Sequence, residues 1–312
     1  MILSCGDALY DVFMGTGGTA DTSRIALDAR VGGSPLNVAM ALSRLGQSAG
    51  FFTKVSTDPF GQNLLAHLAS ERVDTGLCVR TSAPTTLAVV ALDDKGVPSY
   101  SFYTSGTADR SLELSELPAQ LPDAIRVVHI GSYSTALEPT AGSLEALVTR
   151  ERTRRFISYD PNIRPSIVPD RGLWRARVAA LTARAHMVKA SIEDIAFLYP
   201  GADERSILQD WLGRGVSLAV ATRGDAGAIA MTTSGLVAEV PTPRVKVIDT
   251  VGAGDTFQAA LLTWLAEHDR LSPDGIAALS QADLGKLLEF AARAASITCS
   301  RRGADMPRRA EL

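Results

Sequence analysis

The sequence predicts an α/β fold, a doubly wound and largely parallel sheet with a small inserted β-sheet lid, and two observations predict it. Short apolar runs alternate with segments of helical period along most of the 312 residues, the order expected of βαβ units whose sheet is covered on both faces. Two stretches, residues 8–31 and 84–106, break that rhythm with strand-like runs joined by Gly-rich or polar turns. The predicted division is therefore a core of residues 1–7, 32–83 and 107–312, with 8–31 and 84–106 forming a β lid over a cleft. An edge extension of the main sheet is the alternative for the same two stretches.

The core strands are read from four apolar runs: Phe51–Val55, Val127–Ile130, Phe156–Tyr159 and Val216–Ala221. Leu144–Val148 has helical period between two of them. In the second lid stretch, Thr86–Leu92 and Val97–Tyr103 flank Asp93-Asp94-Lys95-Gly96, the composition of a β-hairpin turn. A sheet of this kind takes ligands at the carboxyl ends of its strands.

Bulk properties narrow the function. Apolar residues make up 46% and charged residues 21% of the chain, which carries a formal charge of -3, a globular composition with no nucleic-acid footprint. Arg150, Arg152, Arg154 and Arg155 form the densest basic patch and read as a solvated helix end. The 3 cysteines are widely separated, against a disulfide framework or a zinc site. No stretch approaches a membrane span and the chain opens directly on a strand-like run, so a cytoplasmic location is expected. His67, His129, His186 and His268 pair with no nucleophile pattern and are taken as structural.

The chemistry centres on Asp249-Thr250-Val251-Gly252-Ala253-Gly254-Asp255-Thr256, between the strand-like Val245–Ile248 and an apolar helix pattern through Phe257, Ala260, Leu261, Trp264 and Leu265. Glycines at 252 and 254 let the backbone approach a ligand closely. The free amides of the new helix then favour an anion, phosphate above all. Asp255 would repel phosphate in a mere binding loop, but as a base it could take the proton of an attacking hydroxyl while the Gly252–Gly254 amides stabilise the moving phosphoryl group. Read alone, the segment serves equally as a helix capped by Asp255 after an ordinary turn. No Gly-x-x-x-x-Gly-Lys-Ser/Thr loop occurs. Gly15–Ala20 fits a dinucleotide fingerprint only loosely, with no helix pattern after it.

The Gly-Ala-Gly-Asp segment resembles the C-terminal signature of the ribokinase-like (PfkB-type) carbohydrate kinases. A second signature, Gly32-Gly33-Ser34-Pro35-Leu36-Asn37-Val38-Ala39, resembles their sugar-side motif. Local structure accounts for part of it: Ser34 as N-cap, Pro35 in the first turn, Gly46 as left-handed terminator, and Leu36, Ala39, Leu42 and Leu45 as the buried stripe. The resemblance implies that Gly32 and Gly33 let sugar hydroxyls approach the backbone and that Asn37 bonds them. Gly6-Asp7-Ala8-Leu9-Tyr10-Asp11 is similar to the fructokinase pattern Gly-Glu-x-Leu-x-Asp, in which Asp11 would clasp a sugar diol. Phe102 and Arg164, the latter in the fructokinase-like Asp160-Pro161-Asn162-Ile163-Arg164, complete the implied sugar site.

On the nucleotide side, Thr222-Arg223-Gly224-Asp225-Ala226-Gly227 resembles the family's Thr-x-Gly-x-x-Gly turn. It places Thr222, Gly224 and Gly227 with Gly252 and Gly254 along ATP, a plain β-turn being the alternative. Lys189–Asp194 aligns with an Asn-x-x-Glu metal motif, with Ser191 for Asn and Asp194 for Glu, so Asp194 and its rival Glu193 are the expected magnesium ligands. Potassium held by carbonyls near Asp249 and Arg301–Gly303, and a homodimer formed through the lid, are further implications of the resemblance. The expected reaction transfers the γ-phosphoryl of ATP to a sugar hydroxyl, with fructose favoured. A 2-keto-3-deoxygluconate kinase, a ribokinase or nucleoside kinase, and a sugar- or nucleotide-sensing protein on the same fold are the alternatives.

Overall fold

The computed structural model describes residues 1–14, 23–92 and 98–312. The Gly15–Ala20 stretch and the Asp93–Gly96 turn lie outside the described residues. The chain begins with β1 (Ile2–Cys5), β2 (Leu9–Met14) and β3 (Leu27–Gly32), followed by α1 (Ser34–Arg44). Next come β4 (Ala49–Phe52), β5 (Lys54–Ser56), α2 (Pro59–Ser70), β6 (Val79–Thr81), β7 (Thr86–Leu92) and β8 (Pro98–Tyr103). The centre holds β9 (Val127–Gly131), α3 (Thr140–Glu151), β10 (Phe156–Asp160), α4 (Arg171–Thr182), β11 (Met187–Ser191), α5 (Ile192–Leu198) and α6 (Glu204–Gly213). The chain closes with β12 (Leu218–Thr222), β13 (Ala228–Thr232), β14 (Val237–Val240), α7 (Ala253–Glu267), α8 (Pro273–Ala277) and α9 (Gln281–Cys299).

Among the described residues, eight strands form the central sheet in the order β14-β13-β12-β11-β10-β9-β1-β4. It is parallel from β4 to β12; β13 alone runs the opposite way, pairing antiparallel with β12 on one side and β14 on the other. Successive residues of its strands point to opposite faces, and each face has its own core. Ile2, Val127 and Met187 pack with α1, α7 and α9, whereas Leu3, Val128 and Val188 pack with α3, α4, α5 and α6. The chain leaves β1 for β4 on one side and returns to β9 on the other, so the winding reverses at β1. A ligand crevice is expected outside the strand ends at that point.

A separate four-stranded sheet, β3-β2-β7-β8, takes its strands from the two stretches that break the α/β rhythm. β2 and β7 pair in parallel, and β3 and β8 flank them antiparallel.

α1 and α7 carry the site. Leu36, Ala39, Leu42 and Leu45 are buried as the stripe predicts, and Gly46 has the left-handed φ of 88°. α7 is buried from Asp255 through Leu265 because it lies between α1 and α9. Truncating a core residue such as Leu261 would cost about 2–5 kcal/mol.

Three sequence expectations are corrected. Val245–Ile248 forms no strand: Val247 and Ile248 are exposed, and Ile248 N–H bonds Cys299 O at 2.8 Å instead of a ladder partner. Ser34 does not cap α1, because Gly33 holds the cap position at φ 111° and makes no side-chain bond. Arg155 is not solvated; it is buried against Glu151 at 2.8 Å and donates to Leu121 O and Ile125 O.

Candidate active site

Two cavities open at the carboxyl ends of the strands, one of about 640 Å³ beneath the four-stranded sheet and one of about 710 Å³ beside α7 and α9. They share Ser191, Glu193, Thr250 and Gly254, and so meet at the start of α7. There Gly252 adopts φ 77° as the N-cap, and a Cβ on it would sit 2.8 Å from that of Ala304. The turn therefore requires glycine. Ala253 N–H is occupied by Thr250 O at 3.2 Å, whereas Gly254 N–H has no acceptor among the described residues. Asp249 braces the turn by accepting from Val251 N–H at 3.1 Å and from Gly303 N–H at 2.8 Å.

Asp255 lies in the first turn of α7 and is no cap. Ser34 Oγ donates to its Oδ1 at 2.7 Å, and Asn37 Nδ2 donates to its Oδ2 at 2.9 Å. One N-terminal turn of α1 thus fixes both carboxylate oxygens of a residue 218 positions away from Asn37, and the carboxylate borders the first cavity. Sequence reasoning assigned Ser34 to capping and Asn37 to the sugar, and missed this contact. The Ser34-x-x-Asn37 spacing, which puts both side chains on one helical face, was its available signal.

Asp11 and Asp7 also line the first cavity. Asp11 on β2 faces it, with its carboxylate over the Gly32 backbone: a Cβ at Gly32 would fall 2.5 Å from Asp11 Oδ2. Burial pushes Asp11 up to about 6, and the charge of Arg164 opposes that rise. Asp7, whose role the sequence did not suggest, accepts from Ser34 N–H at 3.2 Å. Burial, reinforced by Asp109, pushes it up to about 7. Gly33 has φ 111°, and a Cβ there would meet Asp7 O at 2.6 Å. Asn37, Phe102 and Arg164 also line this cavity.

Beneath the α7 turn lies a buried ion pair that the sequence reading also missed. Lys189 Nζ stands 2.7 Å from Asp160 Oδ2 and donates to Gly254 O at 3.3 Å. Burial pushes Asp160 up to about 6, against the pull of Lys189. The signal was a lone lysine inside the apolar Val188-Lys189-Ala190 strand, since a buried charge requires a partner.

The second cavity is lined by Thr222, Gly224 and Gly227 from the β12–β13 turn, by Val245 and Val247, and by Phe257, Ala292 and Ala295. Its residues are mostly apolar or backbone, suited to a flat heterocycle with a phosphate tail aimed at Gly254. Asp194 is committed elsewhere. Its Oδ2 accepts from Ser191 N–H at 3.0 Å and its Oδ1 from Ile163 N–H at 2.8 Å, an N-terminal box that ties α5 to the Asp160–Arg164 segment. Glu193 is exposed and borders both cavities. Among the described residues no group of three or more His, Cys, Asp or Glu side chains could hold a metal alone. That donor set fits a magnesium ion taking most of its ligands from phosphate and water.

The chain is similar to known proteins over nearly its whole length. A fructokinase of Rhizobium leguminosarum bv. trifolii is 38% identical over 286 residues, 90% of this chain and 84% of the relative. The crystal structure of a fructokinase with bound ATP from Xylella fastidiosa superposes with a TM-score of 0.90 at 29% identity, covering 99% of this chain and 96% of that one. A double mutant of the Vibrio cholerae O395 fructokinase, in its fructose, ADP and potassium ion bound form, gives 0.80 at 27% identity over 97% of this chain and 93% of that one. The family model described as pfkB family carbohydrate kinase matches residues 1–310. With its ribokinase-like fold and paired cavities, this chain belongs to the pfkB family of carbohydrate kinases.

Proposed function

We propose that this kinase transfers the γ-phosphoryl group of ATP to the primary 6-hydroxyl of fructose, with Asp255 as the base. The observation that supports it most is the junction of the two cavities at Gly254 and Asp255. A hydroxyl from one side and a phosphate from the other converge there on a carboxylate whose orientation is fixed by Ser34 and Asn37.

In this reading the ionised Asp11 accepts two sugar hydroxyls, while Gly32 and Gly33 leave room for the ring and Arg164 and Phe102 complete the wall. Asn37 serves both sides, holding Asp255 and facing the sugar. Asp255 takes the hydroxyl proton as the oxygen attacks phosphorus, and the bond from phosphorus to the ADP oxygen breaks. The Gly252 and Gly254 amides, with the helix dipole and Lys189 below, stabilise the charge of the transferred group. Thr222, Gly224 and Gly227 line the nucleotide. Magnesium would be held by phosphate oxygens, water and Glu193, and would neutralise phosphate charge; Asp194 acts as the brace of α5.

The sheet β3-β2-β7-β8 acts as the lid, closing over the sugar and excluding water. Leu27 and Tyr103 are exposed on it, the apolar surface expected of a homodimer formed through the lid, which light scattering would detect. Potassium beside Asp249 is part of the same reading, on the model of the potassium-bound Vibrio fructokinase.

The substrate assignment is tested by ADP release with fructose, ribose, 2-keto-3-deoxygluconate and adenosine, each with ATP and magnesium. Fructose should give the highest kcat/KM. A higher value for another acceptor would reassign the substrate, and no turnover with any would leave a sugar- or nucleotide-sensing protein.

A further inference from the structure

A third cavity, of about 470 Å³, lies at the opposite end of the sheet from Asp255. It is lined by residues at the amino ends of three strands, Arg126 before β9, Phe156 opening β10 and His186 before β11. The turn after α3, Arg152 to Arg155, forms another wall. β10 and β11 are 5 residues each, which sets this cavity roughly 15 Å from the Asp160 and Ser191 end of the sheet.

Its charge runs against that of the whole molecule. The chain carries a formal charge of -3, yet this lining has four arginines, Arg126, Arg152, Arg154 and Arg155, against the single acid Asp123. Two of them are committed, Arg155 to Glu151 at 2.8 Å and Arg126 to Asp269 at 2.9 Å. Arg154 reaches only Asp123, at 3.9 Å with both side chains exposed. Arg152 makes no ion pair among the described residues, and its Nε is buried without an acceptor.

His186 adds a neutral donor. Its Nδ1 accepts from Ile157 N–H at 2.9 Å, so the ring proton resides on Nε2. Burial, helped by the charge of Arg152, pushes the imidazole down to about 4, and near neutral pH it stays uncharged. Arg152, with no ion pair among the described residues, Arg154, with only its long pair to Asp123, and an imidazole N–H make a wall made chiefly of donors. A phosphate group offers mainly acceptors, and a planar guanidinium engages two of its oxygens at once.

We propose that this cavity is a second, non-catalytic phosphate site, with Arg152 and Arg154 as its cationic ligands and His186 as a third donor. Inorganic phosphate and a phosphorylated sugar share the recognised chemistry. The test uses the full chain with its active site filled by sugar and a non-hydrolysable ATP analogue, titrated calorimetrically at constant ionic strength. Inorganic phosphate is added in one arm and a hexose 6-phosphate in the other.

One saturable event is expected, weakened about tenfold or more in Arg152→Met, which loses its charge-assisted bonds, and less in Arg154→Ala. Basal sugar phosphorylation should be unchanged in both variants. Equal affinities in the two arms would assign the site to phosphate itself, and preference for the hexose phosphate would assign it to a phosphorylated sugar. Absence of saturable binding to the filled protein, or unaltered binding in a folded Arg152→Met, would overturn the proposal. If Arg152→Met does not fold, Arg154→Ala decides alone: its side chain is exposed, and unaltered binding there overturns the proposal equally.

Discussion

The two cavities that meet at α7 are built from different materials. The proposed sugar side is a wall of side chains: Asp7 from the turn after β1, Asp11 on β2, Asn37 on α1 and Asp255 on α7. The proposed nucleotide side is mostly backbone and apolar surface, from the Thr222–Gly227 turn and the Ala292–Ala295 face of α9. A sugar offers only hydroxyls, so its recognition requires placed acceptors and donors. A nucleotide offers a flat ring and phosphates, which a cleft and a helix N-terminus can hold without charged side chains. Single substitutions should therefore act more strongly on the sugar side than on the nucleotide side, with Asp255 felt by both.

The largest effect is expected at the junction. Asp255→Asn should lower kcat by on the order of 10²–10⁴, the usual share of a general base. The ATP dissociation constant, followed by fluorescence or calorimetry, should hardly change. Equal loss of ATP affinity would move Asp255 from chemistry to nucleotide binding and erase the distinction between the sides.

Next comes the sugar clasp. Asp11→Asn should raise the fructose KM about 10–100-fold, as expected for loss of charge-assisted hydrogen bonds, with the ATP KM little changed. The carboxylate, raised to about 6 by burial, must be ionised to accept two hydroxyls. In the wild type, kcat/KM for fructose should thus fall as pH drops below about 6, since this quantity reports the free enzyme. Steady-state profiles of the variant should lack that limb.

A smaller effect belongs to Asp7. Its folded pKa of about 7 lies above the ordinary value of 3.8 because burial, then Asp109, disfavours its charge. The native state therefore holds this proton through a window where the unfolded chain has lost it. The contribution is fully present below the unfolded value and is lost as pH rises toward and through about 7. Scanning calorimetry should show the wild type losing a few degrees of Tm relative to Asp7→Asn between the two ends of that window. Parallel Tm curves would remove Asp7 from the pH response.

The smallest effect is assigned to the nucleotide side, where Thr222→Val should raise the ATP KM only about threefold, one neutral hydrogen bond at most. A loss matching that of Asp11→Asn would mean that both sides depend equally on single side chains.

The same contrast explains what the sequence revealed. The strand and helix alternation, the α1 stripe and the Gly252–Asp255 turn were legible because each is a local pattern with a local cause. The four-stranded sheet was legible as two interruptions of that rhythm, although its parallel β2–β7 pairing joins strands far apart in the chain. Ser34 was misread because capping is its commonest use in a first turn, whereas here its partner lies 221 residues away. Asp194 has the spacing of a metal ligand, yet the same spacing makes a capping box. The Lys189–Asp160 pair required the register of two neighbouring strands, which no local pattern gives. Val245–Ile248 has strand propensity, yet Val245 and Val247 line the second cavity instead of joining a sheet.

The central claim is that a sugar hydroxyl is the proton donor which Asp255 awaits at the meeting point of the cavities. Its most direct test is ADP release by the wild type at saturating ATP and magnesium, with and without fructose. The account predicts release that depends on fructose by about a hundredfold or more, as expected of a site that admits the sugar and excludes water, with one fructose 6-phosphate formed per ADP. ADP release at the same rate without sugar would contradict it.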